Sequence, residues 1–213
     1  IHPDVIYKSH EEHGVLPKTS AANVDDMMNF FGPLVKEGYE IIHFTISSAM
    51  SSTYQHSCIA ADEFEGIYVV DSANLSTGEG LLVLKACEWA AEGLSAKEIY
   101  DKVNELIPRV DASFVIDSLE YLHKGGRCSA LAALGANLLK LKPCIEVQGD
   151  SMGVSKKYRG KYSETVKQYV ADRLTDYSDI DLSRVFVTHA GCDEEIVNQV
   201  VHQIALLVVM VLV

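Results

Sequence analysis

Apolar and polar positions alternate in short blocks along this chain, and the blocks predict an ordered series of elements. Ile41-Ile-His-Phe-Thr-Ile46 and Ile67-Tyr-Val-Val70 are brief, β-rich apolar runs, each followed by a hydroxyl-rich loop and then a helical pattern. A third run, Phe114 to Ile116, precedes Asp117 and a helical stretch from Ser118 to Lys124. A helix is expected over Asp25–Phe31, another from about Leu81 to Ala91 that stops at Gly93, and a third opened by Ser95. Glu98 stands three places after that serine, so Ser95-Ala-Lys-Glu98 reads as a capping box. Strand and helix in alternation, with buried-looking strands, imply βαβ units and a mostly parallel sheet.

Past Gly125-Gly126 the pattern changes. An alanine-rich helix, about Ser129 to Leu139, runs up to Pro143. Cys144–Val147 and Met152–Lys157 then read as two strands of a hairpin turned at Gln148-Gly149-Asp150, which implies an antiparallel sheet. A helix from Ser163 to Leu174, a strand Val185–Val187 and a helix from Asp193 complete the series. The apolar run Ile204–Val213 reads as a helix end passing into a buried strand. It is too short to cross a bilayer, and with no signal-peptide pattern at Ile1-His-Pro-Asp4 no stable membrane insertion is expected. Because the chain stops inside that run, it reads as a fragment. Two subdomains are expected, 1–122 and 123–213.

Composition narrows the function. With 18 bases against 30 acids, a net charge of −12 and 48% hydrophobic residues, the chain reads as a folded globular protein and not as a general nucleic-acid binder. Five scattered cysteines, none in a CxxC pair, argue against a disulfide framework or structural zinc and for a reducing compartment. Charge is unevenly divided. From His123 to Lys161 eight bases face only Glu146 and Asp150, so this stretch is +6 and the remainder −18. Such an island reads either as a docking or anion-facing surface or as solvated charge on a hairpin.

The densest chemical signal is the loop after the first strand. Six of the nine residues from Thr45 to Thr53 carry a hydroxyl: Thr45, Ser47, Ser48, Ser51, Ser52 and Thr53. A helix starting near Tyr54 would aim free backbone N–H groups into this loop, a setting that suits a carboxylate or phosphate. The alternative is that the serines only cap and turn. The loop holds no glycine, so it carries neither a Walker motif nor GxGxxG, Ile46-Ser-Ser-Ala-Met50 does not supply a GxSxG elbow, and no HExxH appears in the chain. No cofactor or metal is therefore expected. Lys18-Thr-Ser20 and the stretch from Asp71-Ser72 to Ser76-Thr-Gly78 are two further hydroxyl groups. Each reads alone as a helix cap, and the three together read as one polar pocket. The rival class is a serine-dependent hydrolase or phosphotransferase using Ser51, in the Ser47–Thr53 loop, or Ser72, with His43, His56 or His123 as base.

Four ordered motifs, Pro17-Lys-Thr-Ser20, Ser47-Ser-Ala-Met-Ser-Ser-Thr-Tyr-Gln55, Val70-Asp-Ser72 and Leu119-Glu-Tyr-Leu-His-Lys-Gly-Gly-Arg127, resemble the DegV family of bacterial fatty-acid-binding proteins. The resemblance runs from about Pro17 to Arg159. It implies an amino-terminal three-layer α/β/α part with a mostly parallel sheet, and a carboxy-terminal α+β part with an antiparallel sheet. It implies one long-chain fatty acid in an apolar tunnel at their interface, its carboxylate held by Thr19 and Ser51 with Ser20 and Ser52 alongside. It also implies a cytoplasmic carrier, not itself catalytic, that presents the acid to a fatty-acid kinase through Arg127 and Arg159. Ser52 stands where the family pattern has glycine, Ala21-Ala22 where it has Gln-Pro, and the family's early Asp-Ser and terminal THTGPG segments have no counterpart here.

Overall fold

The computed structural model describes residues 2–118, 120–124, 141–149, 151–175, 179–181 and 183–211. The expected alanine-rich helix, the Gly125-Gly126 pair and Arg127 lie outside the described residues. The chain divides into two compact units. One comprises residues 19–112 with 147–152, and the other residues 1–18, 113–146 and 153–213. A single cut near residue 122 does not describe this division, because the chain crosses between units after Lys18, after Ala112 and at the hairpin tip.

In the first unit, α2 (Val24–Lys36), β1 (Ile41–Thr45), α3 (Thr53–Ala61), β2 (Ile67–Asp71), α4 (Ser76–Ala91) and α5 (Ala96–Leu106) follow one another. β1 and β2 pair in parallel, from Ile41 opposite Ile67 to Thr45 opposite Asp71. Side chains alternate across a strand, so successive residues feed opposite faces. Val69 joins Met27, Phe31, Ile41, Ala60 and Ala61 beneath α2 and α3. Its neighbour Val70 joins Leu82, Ala86, Ile99 and Val103 beneath α4 and α5. The result is three layers, helix on sheet on helix. α5 starts on the expected capping box: the Ser95 hydroxyl accepts from the Glu98 N–H, and the Glu98 carboxylate accepts from the Ser95 N–H. α4 begins at Ser76, a turn and more before the expected Leu81.

The second unit holds α1 (Pro3–His13), β3 (Ser113–Val115), α6 (Glu120–Lys124), most of β4 (Leu141–Gln148) and β5 (Ser151–Arg159), α7 (Tyr162–Thr175) and α8 (Glu194–Val211). Its sheet has the order β3-β4-β5. β3 runs antiparallel to β4, with Phe114 opposite Ile145. This corrects the expectation that the third apolar run extends the parallel sheet. Two tyrosines of α7 hold it there: Tyr169 donates to the Ser113 carbonyl at 2.8 Å and Tyr162 to the Val115 carbonyl at 3.3 Å. Beneath lies a core of Val166, Val170 and Val200.

Two further expectations change. Residues 185–187 pair with no described strand. All three side chains are more than a third exposed, and so short a run without a ladder beside it is not a strand. The apolar run from Ile204 continues α8 to Val211 instead of turning into a strand. Among the described residues no helix is long and apolar enough to cross a membrane.

Candidate hydroxyl site at the ends of β1 and β2

The parallel ladder does not stop where the strands do. Beyond the Thr45–Asp71 pair, the Ser72 N–H donates to the Thr45 carbonyl at 3.1 Å, and the Ser47 N–H donates to the Asn74 carbonyl at 2.8 Å. The Asp71 carboxylate joins the loops again, its Oδ1 accepting from the Ser48 N–H at 3.1 Å and the Ala73 N–H at 3.0 Å. Ser47 and Ser72 are fully buried in this joint.

Ser47 also turns the chain. Its hydroxyl accepts from the Ala49 N–H, and its carbonyl accepts from the N–H groups of Met50 and Ser51. The Thr53 N–H goes to the Ser51 hydroxyl at 3.2 Å. The backbone donors of residues 48–51 and 53 are thus taken by the protein itself. This narrows the expected free N–H groups to the first turn of α3 beyond Thr53. Within 48–51 and 53 the donors left for a ligand are hydroxyls.

Ser51 is arranged for that role. Besides the Thr53 N–H, its Oγ lies 2.8 Å from the Thr53 Oγ1. A serine hydroxyl offers one proton and two lone pairs. The Thr53 N–H fills one lone pair of Ser51, and one of the two hydroxyls donates to the other, so the Ser51–Thr53 pair keeps one hydroxyl proton for an outside acceptor. Thr53 was legible only as one hydroxyl among six. Its own carbonyl is held by the Ser57 hydroxyl at 2.8 Å, and Ser57 is fully buried.

The helix caps release the other expected residues. α2 is capped by Asn23, whose side chain accepts from the Asp26 N–H in a reciprocal capping box, so Thr19 and Ser20 do not cap it. Both are exposed in the segment before it. Ser52 occupies the N-cap position of α3 with no capping bond from its side chain, and is exposed. The imidazole Nδ1 of His56 lies 2.6 Å from the Ala22 carbonyl. That bond ties the Thr19–Ala22 segment to the helix that begins beside Ser51.

Tyr54, Cys58 and His43 stay neutral. Tyr54 is pushed up to about 12, first by burial and then by its bond to Cys58, with the Asp71 charge adding to the effect. Burial also raises the Cys58 thiol, as do the charges of Asp62 and Asp71. His43 on β1 packs edge-on against Phe31, and burial lowers its pKa. Among the described residues no group of three or more His, Cys, Asp or Glu side chains is placed to hold a metal ion.

The basic stretch is partly neutralised. Lys142 pairs with Asp117, and Lys156 with Asp172 at 2.6 Å. Arg159 is exposed at the end of β5.

This architecture, a parallel pair between helix layers and a separate antiparallel sheet, defines a mixed α/β protein. The family model for an uncharacterised protein of the DegV family matches residues 1–208, and the chain belongs to that family. A DegV domain-containing protein of Clostridium acetobutylicum is 39% identical over 173 residues, covering 80% of this chain and 61% of that protein. Another, from Caldanaerobacter subterraneus, is 32% identical over 204 residues, covering 94% and 71%. A solved DegV family protein from Thermus thermophilus, described for its fatty acid binding, aligns with a TM-score of 0.74 at 27% identity, over 84% of this chain and 64% of that one. The DegV family protein SAG1342 of Streptococcus agalactiae shares the fold, with a TM-score of 0.78 at 23% identity, over 96% and 73%. The chain thus spans about three fifths of the length of the first of these relatives.

Proposed function

We propose that this chain binds a long-chain fatty acid. Thr19 and Ser51, flanked by Ser20 and Ser52, hold the carboxylate, and the acyl tail lies in an apolar tunnel. The protein presents the carboxyl group, in the cytoplasm, to a fatty-acid kinase that docks through Arg127 and Arg159 and carries out the phosphorylation. The observation that carries this reading is the pairing of the Ser51 and Thr53 hydroxyls at 2.8 Å, which leaves one hydroxyl proton of the pair for a ligand. The solved Thermus thermophilus relative described for fatty acid binding supports it. The energetics agree: each buried methylene contributes about 0.8 kcal/mol, whereas a neutral hydrogen bond contributes about 0.5–1.5 kcal/mol. The tail therefore supplies affinity and the hydroxyls set the orientation of the head.

A serine-dependent enzyme is the weaker reading. A serine nucleophile needs a base within hydrogen-bond reach. The hydroxyl of Ser51 bonds with Thr53 and that of Ser72 with Asn74. Of the candidate bases, His43 lies against Phe31 and His56 is engaged by the Ala22 carbonyl.

Native mass spectrometry tests the proposal directly. The delipidated chain should take up one equivalent of palmitate, and Ser51→Ala with Thr19→Val should still take it up but accept phosphate poorly in a reconstituted kinase assay. A wild-type chain that takes up no fatty acid, or covalent labelling of Ser51 by a fluorophosphonate, would overturn it.

A further inference from the structure

β2 ends on a carboxylate at the point where the hydroxyl loop leaves β1. One oxygen of Asp71 gathers amides from two loops, Ser48 at 3.1 Å and Ala73 at 3.0 Å. The Ser48 amide opens the turn that carries Ser51. The Ala73 amide belongs to a loop with two non-glycine residues in the left-handed region, Ala73 at φ +48° and Ser76 at φ +51°. Backbone strain of that kind persists only where the surroundings over-determine it, and it concentrates where a protein works.

Here the surroundings do over-determine it. Asn74 is 3% exposed. Its N–H donates to the Ser72 hydroxyl, its carbonyl accepts from the Ser47 N–H, and its Oδ1 accepts from the Leu75 N–H. The 71–78 loop is thus a fixed frame, and Asp71 connects that frame to the turn before Ser51. Hydrogen bonds from amides to a carboxylate are charge-assisted and stronger than neutral ones. A negative charge beside a site meant for an anion is a disadvantage by itself, so its presence needs another use. Holding the two amides is that use.

We infer that Asp71 is a positioning residue for the head-group site: it touches no ligand, but fixes Ser48 and so the placement of the Ser51–Thr53 hydroxyl pair. The inference rests on the fatty-acid reading above. The test uses the full 213-residue chain, amide hydrogen exchange, and palmitate labelled with carbon-13 at the carboxyl. In Asp71→Ala, exchange at Ser48 and Ala73 should accelerate about tenfold or more, as expected for loss of one strong hydrogen bond each. The bound carboxyl resonance should broaden and move toward that of free palmitate, while the tail keeps the ligand bound. Asp71→Asn offers an acceptor of the same shape and should restore both signals to within about threefold of wild type. A residue serving stability alone would lower the melting temperature without moving the carboxyl resonance.

An unchanged Ser48 exchange rate and carboxyl resonance in Asp71→Ala overturns the inference. If Asp71→Ala does not fold, Asp71→Asn decides: wild-type signals support the role of the oxygen, and loss of both in a folded protein overturns it. If the wild-type chain binds no palmitate, the fatty-acid reading fails, and the exchange rates alone decide whether Asp71 holds the turn.

Discussion

Gly78 is where adding one methyl group should do most damage for its size. It lies in the first turn of α4, fully covered, and a Cβ built on it would stand 2.0 Å from Asn74 Oδ1 and 2.6 Å from Asn74 Cγ, with Ala112 Cβ at 3.1 Å. Asn74 has nowhere to go, since its side chain is buried and bonded to the Leu75 amide. Overpacking of this kind costs about 1–3 kcal/mol, and the displaced amide hydrogen bond adds about 1 kcal/mol. Gly78→Ala should therefore lose about 2–4 kcal/mol, which for a chain of this length lowers the melting temperature by roughly 5–15 °C. Gly80, two residues on in the same helix, has no heavy atom within 4 Å of its would-be Cβ. There the substitution only removes glycine's backbone entropy, and Gly80→Ala should gain about 0.5–1 kcal/mol. Calorimetry or urea unfolding of the two variants gives opposite signs if the loop frame is as rigid as its hydrogen bonds imply. Equal shifts, or a Gly78→Ala protein as stable as wild type, would refute the reasoning.

His43 should make the protein acid-sensitive. Burial lowers its folded pKa below the ordinary 6.5, so the unfolded chain takes up this proton first. Its contribution is complete above that ordinary value and is lost as pH falls toward the folded pKa. Urea midpoints at pH 7 and pH 5 should therefore differ more in wild type than in His43→Phe, and identical differences would count against the assignment. Thr53→Val removes the hydroxyl that is hydrogen-bonded to Ser51 but keeps the backbone N–H and the volume. The Ser51 hydroxyl becomes less firmly held, so palmitate affinity should fall by less than about tenfold while phosphorylation of the bound acid falls more. Parallel loss of the two would argue for simple unfolding.

Much of this fold can be read from local pattern, and the parts that cannot depend on contacts distant in sequence. β1, β2 and α5 follow from short β-rich runs and from Ser95 with Glu98, all of which lie within a few residues of one another. α1 is mostly polar and offers little apolar periodicity. Its signals were the Pro3 start and the Gly14 end, where the glycine adopts φ +70° and its N–H returns to the His10 carbonyl. β3 is three residues long, and nothing in Ser-Phe-Val says which sheet it joins. Tyr162 and Tyr169, about fifty residues on, decide that. The site divides the same way. A cluster of hydroxyls is visible as composition, so Ser51 could be picked out. That Asn23 caps α2 in place of Thr19, or that Asp71 faces the Ser48 turn, depends on cap geometry and on the Thr45–Asp71 register.

The hydrogen bonds of the loop also say what kind of ligand it suits. A phosphate gains from several converging backbone N–H groups, and those of residues 48–51 and 53 are already committed to Ser47, Asp71 and Ser51. A carboxylate asks less, since one or two hydroxyl protons meet its needs. Such a head contributes little net free energy, so on the proposed reading the tail must supply nearly all of the affinity. A series of saturated acids from eight to sixteen carbons then has a definite expectation. Each added methylene should tighten binding about fourfold, the factor for about 0.8 kcal/mol, until the tunnel is full. Replacing palmitate by its methyl ester or alcohol should cost less than removing two methylenes. Isothermal titration calorimetry of the delipidated chain separates the cases. A shallow dependence on chain length with a steep dependence on the head group would place the affinity in the hydroxyls, and would leave the apolar tunnel without a role.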